Sequence, residues 1–378
     1  MIVSDVVELT RALVAVDSVN PSLEPGAAGE REIAGLVARW GRDAHLDVDV
    51  LEQTPGRPSV VLRARGRGGG RTLLLCGHLD TVGVGEMSEP FEARVEGDRL
   101  HGRGSCDMKA GVAAALVACR EAARADLAGD VLVAAVADEE HASTGVQEAL
   151  GSIEADAAIV TEPTEMEIVI AHKGFAWLEV EVRGRAAHGS RPHLGIDAIV
   201  KSGPVLTALG ELDERLGERH HPLLGRGSVH ASLIEGGRDL ATYPDRCTIA
   251  IERRTLPKEG RPEVERELEA LLAGCREADP VLEASARTML VREPLETSED
   301  EPIVSLVRAA AADTLGTRPS LGGASFWADS AFTSAAGIPT LLFGPGGAGA
   351  HAAEEWVSIS DTEACASVLT RVAAEFCA

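Results

Sequence analysis

Positive charge is scarce in this chain: 36 Lys and Arg stand against 60 Asp and Glu, leaving a net charge of −24. Such a surface repels phosphate backbones and anionic lipid headgroups, so neither nucleic acid nor a membrane surface is expected as a partner. Long apolar runs are missing too, and no stretch supplies the ~18 uninterrupted apolar residues of a membrane span. The opening segment, MIVSDVVELTRALVAVDSVNPS, lacks the basic start of a signal peptide and is broken by charges every few positions. It reads instead as an amphipathic helix, with Asp5 and Glu8 as a capping-box pattern and Leu9, Leu13 and Val14 on one face. The seven cysteines, at 76, 106, 119, 247, 275, 365 and 377, are odd in number and form no C-x-x-C pair. Reduced thiols in a cytoplasmic protein are the expectation. Internal repeats and low-complexity linkers are also absent.

What is present suits an ordinary globular protein of two domains, with 45% apolar and 25% charged residues in 378. Short apolar runs ending in polar punctuation occur at 72–80 (TLLLCGHLD), 131–140 (VLVAAVADEE), 157–165 (AAIVTEPTE) and 338–347 (IPTLLFGPGG). An alanine-rich helix is expected from about 107 to 125 and another near 302 to 315. Strands alternating with helices predict an α/β domain with a buried, mostly parallel central sheet, which gathers reactive groups beyond the carboxyl ends of its strands.

The middle of the chain has a different rhythm. Residues 175–185, 228–237, 246–255 and 281–290 alternate apolar with polar, as half-exposed strands do, with helical stretches near 195–219 and 261–277. The order β-α-β-β-α-β predicts an inserted α+β domain of the split, ferredoxin-like kind. The expected division is therefore 1–173 with 290–378 for the α/β domain and 174–289 for the insert.

Three adjacent carboxylates, Asp138, Glu139 and Glu140, close one of the apolar runs. Like charges at the end of a buried strand repel unless a cation or hydrogen bonds compensate. Alone, a Glu-Glu pair reads as a solvated loop, and Asp107 as a helix cap. Together with His78, Asp80, Glu162 and His351, all at expected strand ends or helix starts, they have the ligand chemistry of a catalytic zinc site in which one carboxylate bridges two ions. With Asp107, Glu140 and Glu162 as ligands, three negative charges and one hydroxide balance two divalent cations. Glu139 is then free to act as general base. Asp80, two residues from His78 on the same face of a strand, can receive the other ring N–H and fix its tautomer.

These motifs, in this order from VDSVNPS to AHAAEEWVSI, resemble the M20 family of metallopeptidases and amidohydrolases, among them acetylornithine deacetylases, desuccinylases, aminoacylases and glutamate carboxypeptidases. The resemblance implies two divalent ions, zinc first with cobalt or manganese fitting the same donors. It makes Asp107 the bridging ligand, with His78 and Glu162 on one ion and Glu140 and His351 on the other. Glu139 takes the place of the base and Asp80 that of the acid orienting His78, while Asp138 is left with a structural role. In GRAAHGSRPHLGIDAI the family pattern makes His188 a donor to the tetrahedral oxyanion, reaching the partner subunit's site in a homodimer formed through the inserted lid domain. In ERRTLP it makes Arg254 the grip on a substrate carboxylate, with Arg253 on the opposite strand face. Ala241 stands where many relatives carry Asn, and GGASFWADSAF departs from the desuccinylase pattern; both differences fall on specificity.

The expected activity is hydrolysis of the amide bond of an N-acyl amino acid, with a glutamate-releasing carboxypeptidase second and an aminopeptidase third. A noncatalytic binding protein on the same fold has no use for Glu139, which is not itself a ligand.

Overall fold

The computed structural model describes residues 3–378. Its first helix, Val3–Val14, already includes Asp5, so the expected cap there is not formed by the backbone; the Asp5 side chain lies outside the described residues. The chain divides into two compact units. One holds the chain up to Ile170 together with Thr297–Gly322 and Ala328–Ala378; the other holds Ala171–Glu296 and Gly323–Trp327.

The first unit is built on a mixed sheet. Its middle four strands, Val131–Val136, Leu73–His78, Ala157–Val160 and Thr340–Leu342, are parallel neighbours in that order. Every residue in them is buried, which is why they read as continuous apolar runs rather than alternating ones. The margins are antiparallel: Ser59–Ala64 pairs with Val131–Val136, Asp47–Leu51 with Ser59–Ala64, and Val169 lies opposite Leu342. Helices Ala110–Arg124 and Ile359–Phe376 pack on each other and share one core with the strands. All seven cysteines are buried free thiols. Among the described residues, no helix is long and apolar enough to cross a membrane.

Small side chains let the helix Ala110–Arg124 sit hard against the sheet. A Cβ on Gly111 would fall 1.9 Å from the carbonyl oxygen of Thr161, so only glycine allows the helix to begin there. The helix starts three residues later than the sequence pattern suggests, and Asp107 has non-helical dihedrals (φ −118°, ψ 93°) in the irregular turn before it. Asp107 is therefore not a helix cap, and its side chain is available for other work.

The second unit is a four-stranded antiparallel sheet in the order Ser228–Gly236, Arg246–Thr255, Gly174–Arg183 and Glu283–Arg292, with helices Ala198–Leu216 and Arg261–Ala278. Taken in chain order the strands lie 2-3-1-4, the arrangement of a split β-α-β unit. Alternation along Arg246–Thr255 is complete, with Cys247, Ile249, Ile251 and Arg253 turned inward. A small hairpin, His220–His221 with Gly225–Arg226, and the returning segment Gly323–Trp327 are too short to leave a periodic signal in the sequence.

Close packing at Gly111 has a measurable consequence. Gly111→Ala should destabilise the protein by about 1–3 kcal/mol through overpacking, lowering the thermal midpoint. Gly210→Ala, in an exposed position of the helix Ala198–Leu216 with nothing within 4 Å of the new Cβ, should raise stability by about 0.5–1 kcal/mol. Equal shifts for the two would show that the contact with Thr161 is not what limits this position.

Candidate metal centre

Parallel pairing brings the strand ends together. His78 is the last residue of its strand and lies opposite Val136, while Cys76 lies opposite Val160. Glu139 and Glu140 follow one neighbour, Glu162 follows the other, and His351 lies in the loop beyond the fourth parallel strand. Four segments distant in sequence thus open at the same edge of the sheet. Asp107 enters from the turn leading into the Ala110–Arg124 helix.

Asp107 is the centre of the cluster. Its Oδ1 is 3.1 Å from Nε2 of His78 and its Oδ2 is 3.3 Å from Nε2 of His351, so each carboxylate oxygen faces a different imidazole. His351 is also 3.2 Å from Glu140 Oε2, and His78 is 4.0 Å from Glu162 Oε1. Candidate ligand atoms of His78, Asp107 and Glu140 all fall within 4.8 Å of one another. That trio draws on both ligand sets implied by the family pattern, because the sets form one contiguous cluster that shares Asp107.

The donor set fits divalent cations. Nitrogen and oxygen donors dominate it, and Glu140 Oε1 is buried with no hydrogen-bond partner, an orphaned acceptor that a cation would satisfy. Electrostatics agree. Burial, with the charges of Asp329, Glu162 and Glu140, pushes Glu139 well above the usual carboxylate range against the pull of His78. Glu162 is raised well above that range by burial and by Asp107, Asp329 and Glu140, and Glu140 is raised chiefly by burial. Asp107 goes the other way: burial opposes its charge, but hydrogen bonds from His351 and His78 hold it below the ordinary range. Burial alone would lower His78, yet the bond to Asp107 and the charges of Glu162 and Glu139 raise it well above its usual value. His351, bonded to Asp107 and Glu140, is pushed up to about 10.

Asp80 does something other than the expected job. Nδ1 of His78 lies 2.9 Å from the main-chain carbonyl of Asp80 and 3.7 Å from its carboxylate, so the carbonyl is the hydrogen-bond partner that sets the ring. The carboxylate instead accepts the backbone N–H groups of Glu139 (3.1 Å) and Glu140 (3.2 Å), and the side-chain amide of Asn20 (2.7 Å). Asn20 also donates to Asp138 (3.2 Å), which is paired with the buried Arg57 (2.8 Å). Arg57 in turn grips Glu30 through two nitrogens, at 2.7 and 2.5 Å. Asp138 thus holds the turn from below while its two neighbours face the cluster. Sequence reasoning gave no role to Asn20, Arg57 or Glu30; Asn20 lies in the VDSVNPS motif, whereas Arg57 and Glu30 carry no local signal at all.

The second unit places His188 and Arg254 as follows. Nδ1 of the exposed His188 accepts the N–H of Ser190 (3.2 Å) and lies 2.8 Å from its hydroxyl, which leaves the neutral ring's proton on Nε2. The loop carrying Ala241 backs this histidine, with Gly189 N–H bonded to the Ala241 carbonyl (2.7 Å) and Tyr243 N–H to that of Ala187 (2.9 Å). Arg254 is a third exposed, pairs with Glu252 at 2.9 Å and lies 5.3 Å above the Phe175 ring. Arg253, on the other face of the strand, is buried between Glu259 (2.9 Å) and Glu267 (3.0 Å).

Metal-free protein should show a diagnostic pH response. Glu139, Glu140, Glu162, His78 and His351 all bind protons more tightly when folded than when unfolded, so stability falls as pH rises from the unfolded carboxylate values near 4.5 towards the folded ones and, for His351, from 6.5 to about 10. A cation displaces those protons and relieves the repulsion. The difference in thermal midpoint between metal-loaded and chelator-stripped protein should therefore widen between pH 5.5 and 8. A difference that is flat with pH would mean the cluster is not where the metal binds.

Comparison with known proteins gives the family. Residues 74–375 match the peptidase family M20/M25/M40. The chain is 31% identical over 379 residues to an acetylornithine deacetylase of Myxococcus xanthus, covering 97% of this chain and 96% of that one. Aminopeptidase PepT from Bacillus cereus superposes with a TM-score of 0.81 at 20% identity, covering 99% of this chain and 98% of the other. A dinuclear metal-binding M20 peptidase of Bacillus subtilis gives 0.77 at 15% identity, covering 100% and 98%. The two structural neighbours share the fold, and the family match together with the Myxococcus relative places the chain in the M20/M25/M40 peptidase family, as a metal-dependent hydrolase.

Proposed function

We propose that this chain is an amidohydrolase that removes the acyl group from an N-acyl amino acid, using two divalent cations, zinc by preference, held by His78, Asp107, Glu140, Glu162 and His351. The observation that carries the reading is the division of Asp107, one oxygen towards His78 and the other towards His351, beside a glutamate that belongs to neither pairing. The near full-length likeness to an acetylornithine deacetylase favours deacylation over the release of glutamate or of an N-terminal residue.

Bound cations would supply Lewis acidity and a water whose pKa falls to about 7. Glu139 takes the proton of the attacking water; its raised affinity for that proton, a product of burial and neighbouring carboxylates, suits it to carry the proton to the departing nitrogen. Asp80 keeps Glu139 in place by bonding its main-chain N–H. His188 presents Nε2–H, a donor for the oxyanion of the tetrahedral species. Arg254, partly exposed on its strand, is the candidate grip on the amino acid carboxylate.

A homodimer through the second unit suits the same reading. Strand Ser228–Gly236 is an edge strand, and Leu233, Ile234 and, on the nearby helix, Val200 are half or more exposed. A second copy would cover these residues. The expected cytoplasmic location rests on the free thiols alone.

Chelator-stripped protein restored with zinc or cobalt should release amine from at least one member of a panel of N-acetyl, N-succinyl and N-formyl amino acids. Cleavage confined to α- or γ-glutamyl compounds or short peptides would transfer the assignment to a peptidase. Glu139→Gln should bind metal normally and lose roughly 10²–10⁴-fold in turnover; near wild-type rates would remove the general-base role. Mixing His188→Ala with Glu139→Gln after subunit exchange should recover activity if His188 acts across a dimer, whereas no recovery at any ratio would exclude the exchange.

A further inference from the structure

Two loops that carry candidate ligands are fastened to each other by a residue with no place among those ligands. We propose that Glu355 is a positioning residue for the metal centre: it locks the Asp107 turn to the His351 loop and so sets cation affinity. The inference rests on the metal-centre reading above.

Glu355 is one of two adjacent glutamates in AHAAEEW, four residues after His351, and only Glu355 turns inward. Pairing of strand Trp356–Ser358 with Arg99–His101, with Trp356 opposite His101, delivers it to the start of the Asp107 turn. Its carboxylate is filled by donors. Oε1 accepts the backbone N–H groups of Cys106 (2.9 Å) and Asp107 (3.1 Å). Oε2 accepts the N–H of Gly104 (3.0 Å) and Nη1 of the buried Arg103 (2.6 Å). Gly104, at φ 77°, turns the chain so that these amides face one concavity, an anion-binding nest occupied by a side chain of the same protein.

Arg103 completes the fastening. Nη2 donates to the carbonyl of Ala352, the residue after His351, at 2.8 Å, and Nε to that of Gly83 at 3.1 Å. The Glu355 carbonyl accepts the N–H of Gly102 (3.1 Å). Asp107 and His351 are thus each within one residue of a hydrogen bond to the Glu355–Arg103 pair. The pair links the Asp107 turn directly to the loop that brings His351 within 3.3 Å of Asp107. All four groups around the carboxylate are donors, so a carboxamide cannot replace it: its NH₂ would face an N–H.

Cobalt(II) titrated into chelator-stripped protein tests this, with visible absorption and competition from a chromophoric chelator giving affinity, and thermal unfolding of each metal-free protein read in parallel. Glu355→Gln should weaken cobalt binding roughly 10–100-fold and alter the cobalt spectrum. Glu355→Asp, one methylene shorter but still charged, should lose less. Because Glu355→Gln strands the buried Arg103 charge, the double variant Arg103→Gln/Glu355→Gln provides the decisive comparison, with no charge left unpaired. It should lower the metal-free unfolding midpoint less than Glu355→Gln alone and still bind cobalt as weakly. Wild-type affinity in the double variant would overturn the proposal, as would losses of affinity that merely follow losses of thermal stability across the series. If wild type itself takes up no cobalt, the metal-centre reading falls and the clamp with it; binding by wild type and variants alike removes the clamp alone.

Discussion

Repulsion among carboxylates confined to one edge of a parallel sheet is the constraint on which this structure turns. Asp107, Glu139, Glu140 and Glu162 are drawn together because three neighbouring strands end at one level and one helix begins there. In water such groups would separate; here the apolar strands that carry them are buried along their whole length and hold them fast. Two imidazoles offset part of the charge, and the orphaned oxygen of Glu140 marks where more positive charge belongs. The fold keeps the carboxylates crowded, and burial with that crowding raises the proton affinity of Glu139, Glu140 and Glu162.

Around this cluster, other carboxylates do mechanical work. Asp80 binds the main-chain N–H groups of Glu139 and Glu140, and Asp138 accepts from Asn20 and Thr144 while pairing with Arg57. Asp80 acts directly on the backbone that presents Glu139 and Glu140, whereas the Asp138 carboxylate, in the same turn, is held by side chains. A backbone N–H cannot be lost by a rotamer change, so fixing it fixes the residue at lower entropy cost than holding a long side chain by its tip. Buried Arg57 and Glu30 neutralise each other at the base of this arrangement, and the chain accepts their desolvation because both are fully bonded.

The second unit uses charge differently. Adjacent arginines on one strand have opposite fates: Arg253 is sealed between two glutamates and braces the sheet, while Arg254 stays partly exposed over Phe175. The period of two along a strand suffices to separate the two tasks.

The sequence by itself determined the class of the fold and pointed to a metal site at the ends of its strands. Continuous apolar runs leading to His78, Glu140 and Glu162 implied buried parallel strands with candidate metal donors at their ends, and alternation in four stretches between 175 and 290 implied the antiparallel insert; burial pattern is local, so it is written in consecutive residues. Tertiary structure decided what depends on partners far along the chain. That the Asp80 carboxylate serves amides some sixty positions away, that Arg57 meets Asp138, that Gly323–Trp327 belongs with the insert, and that Glu355 reaches Cys106 and Asp107 are products of strand register and loop closure. A carboxylate looks the same in sequence whether it will bind a cation, a proton or a backbone N–H, because its role is fixed only by which donors the folded chain brings within 3 Å of it.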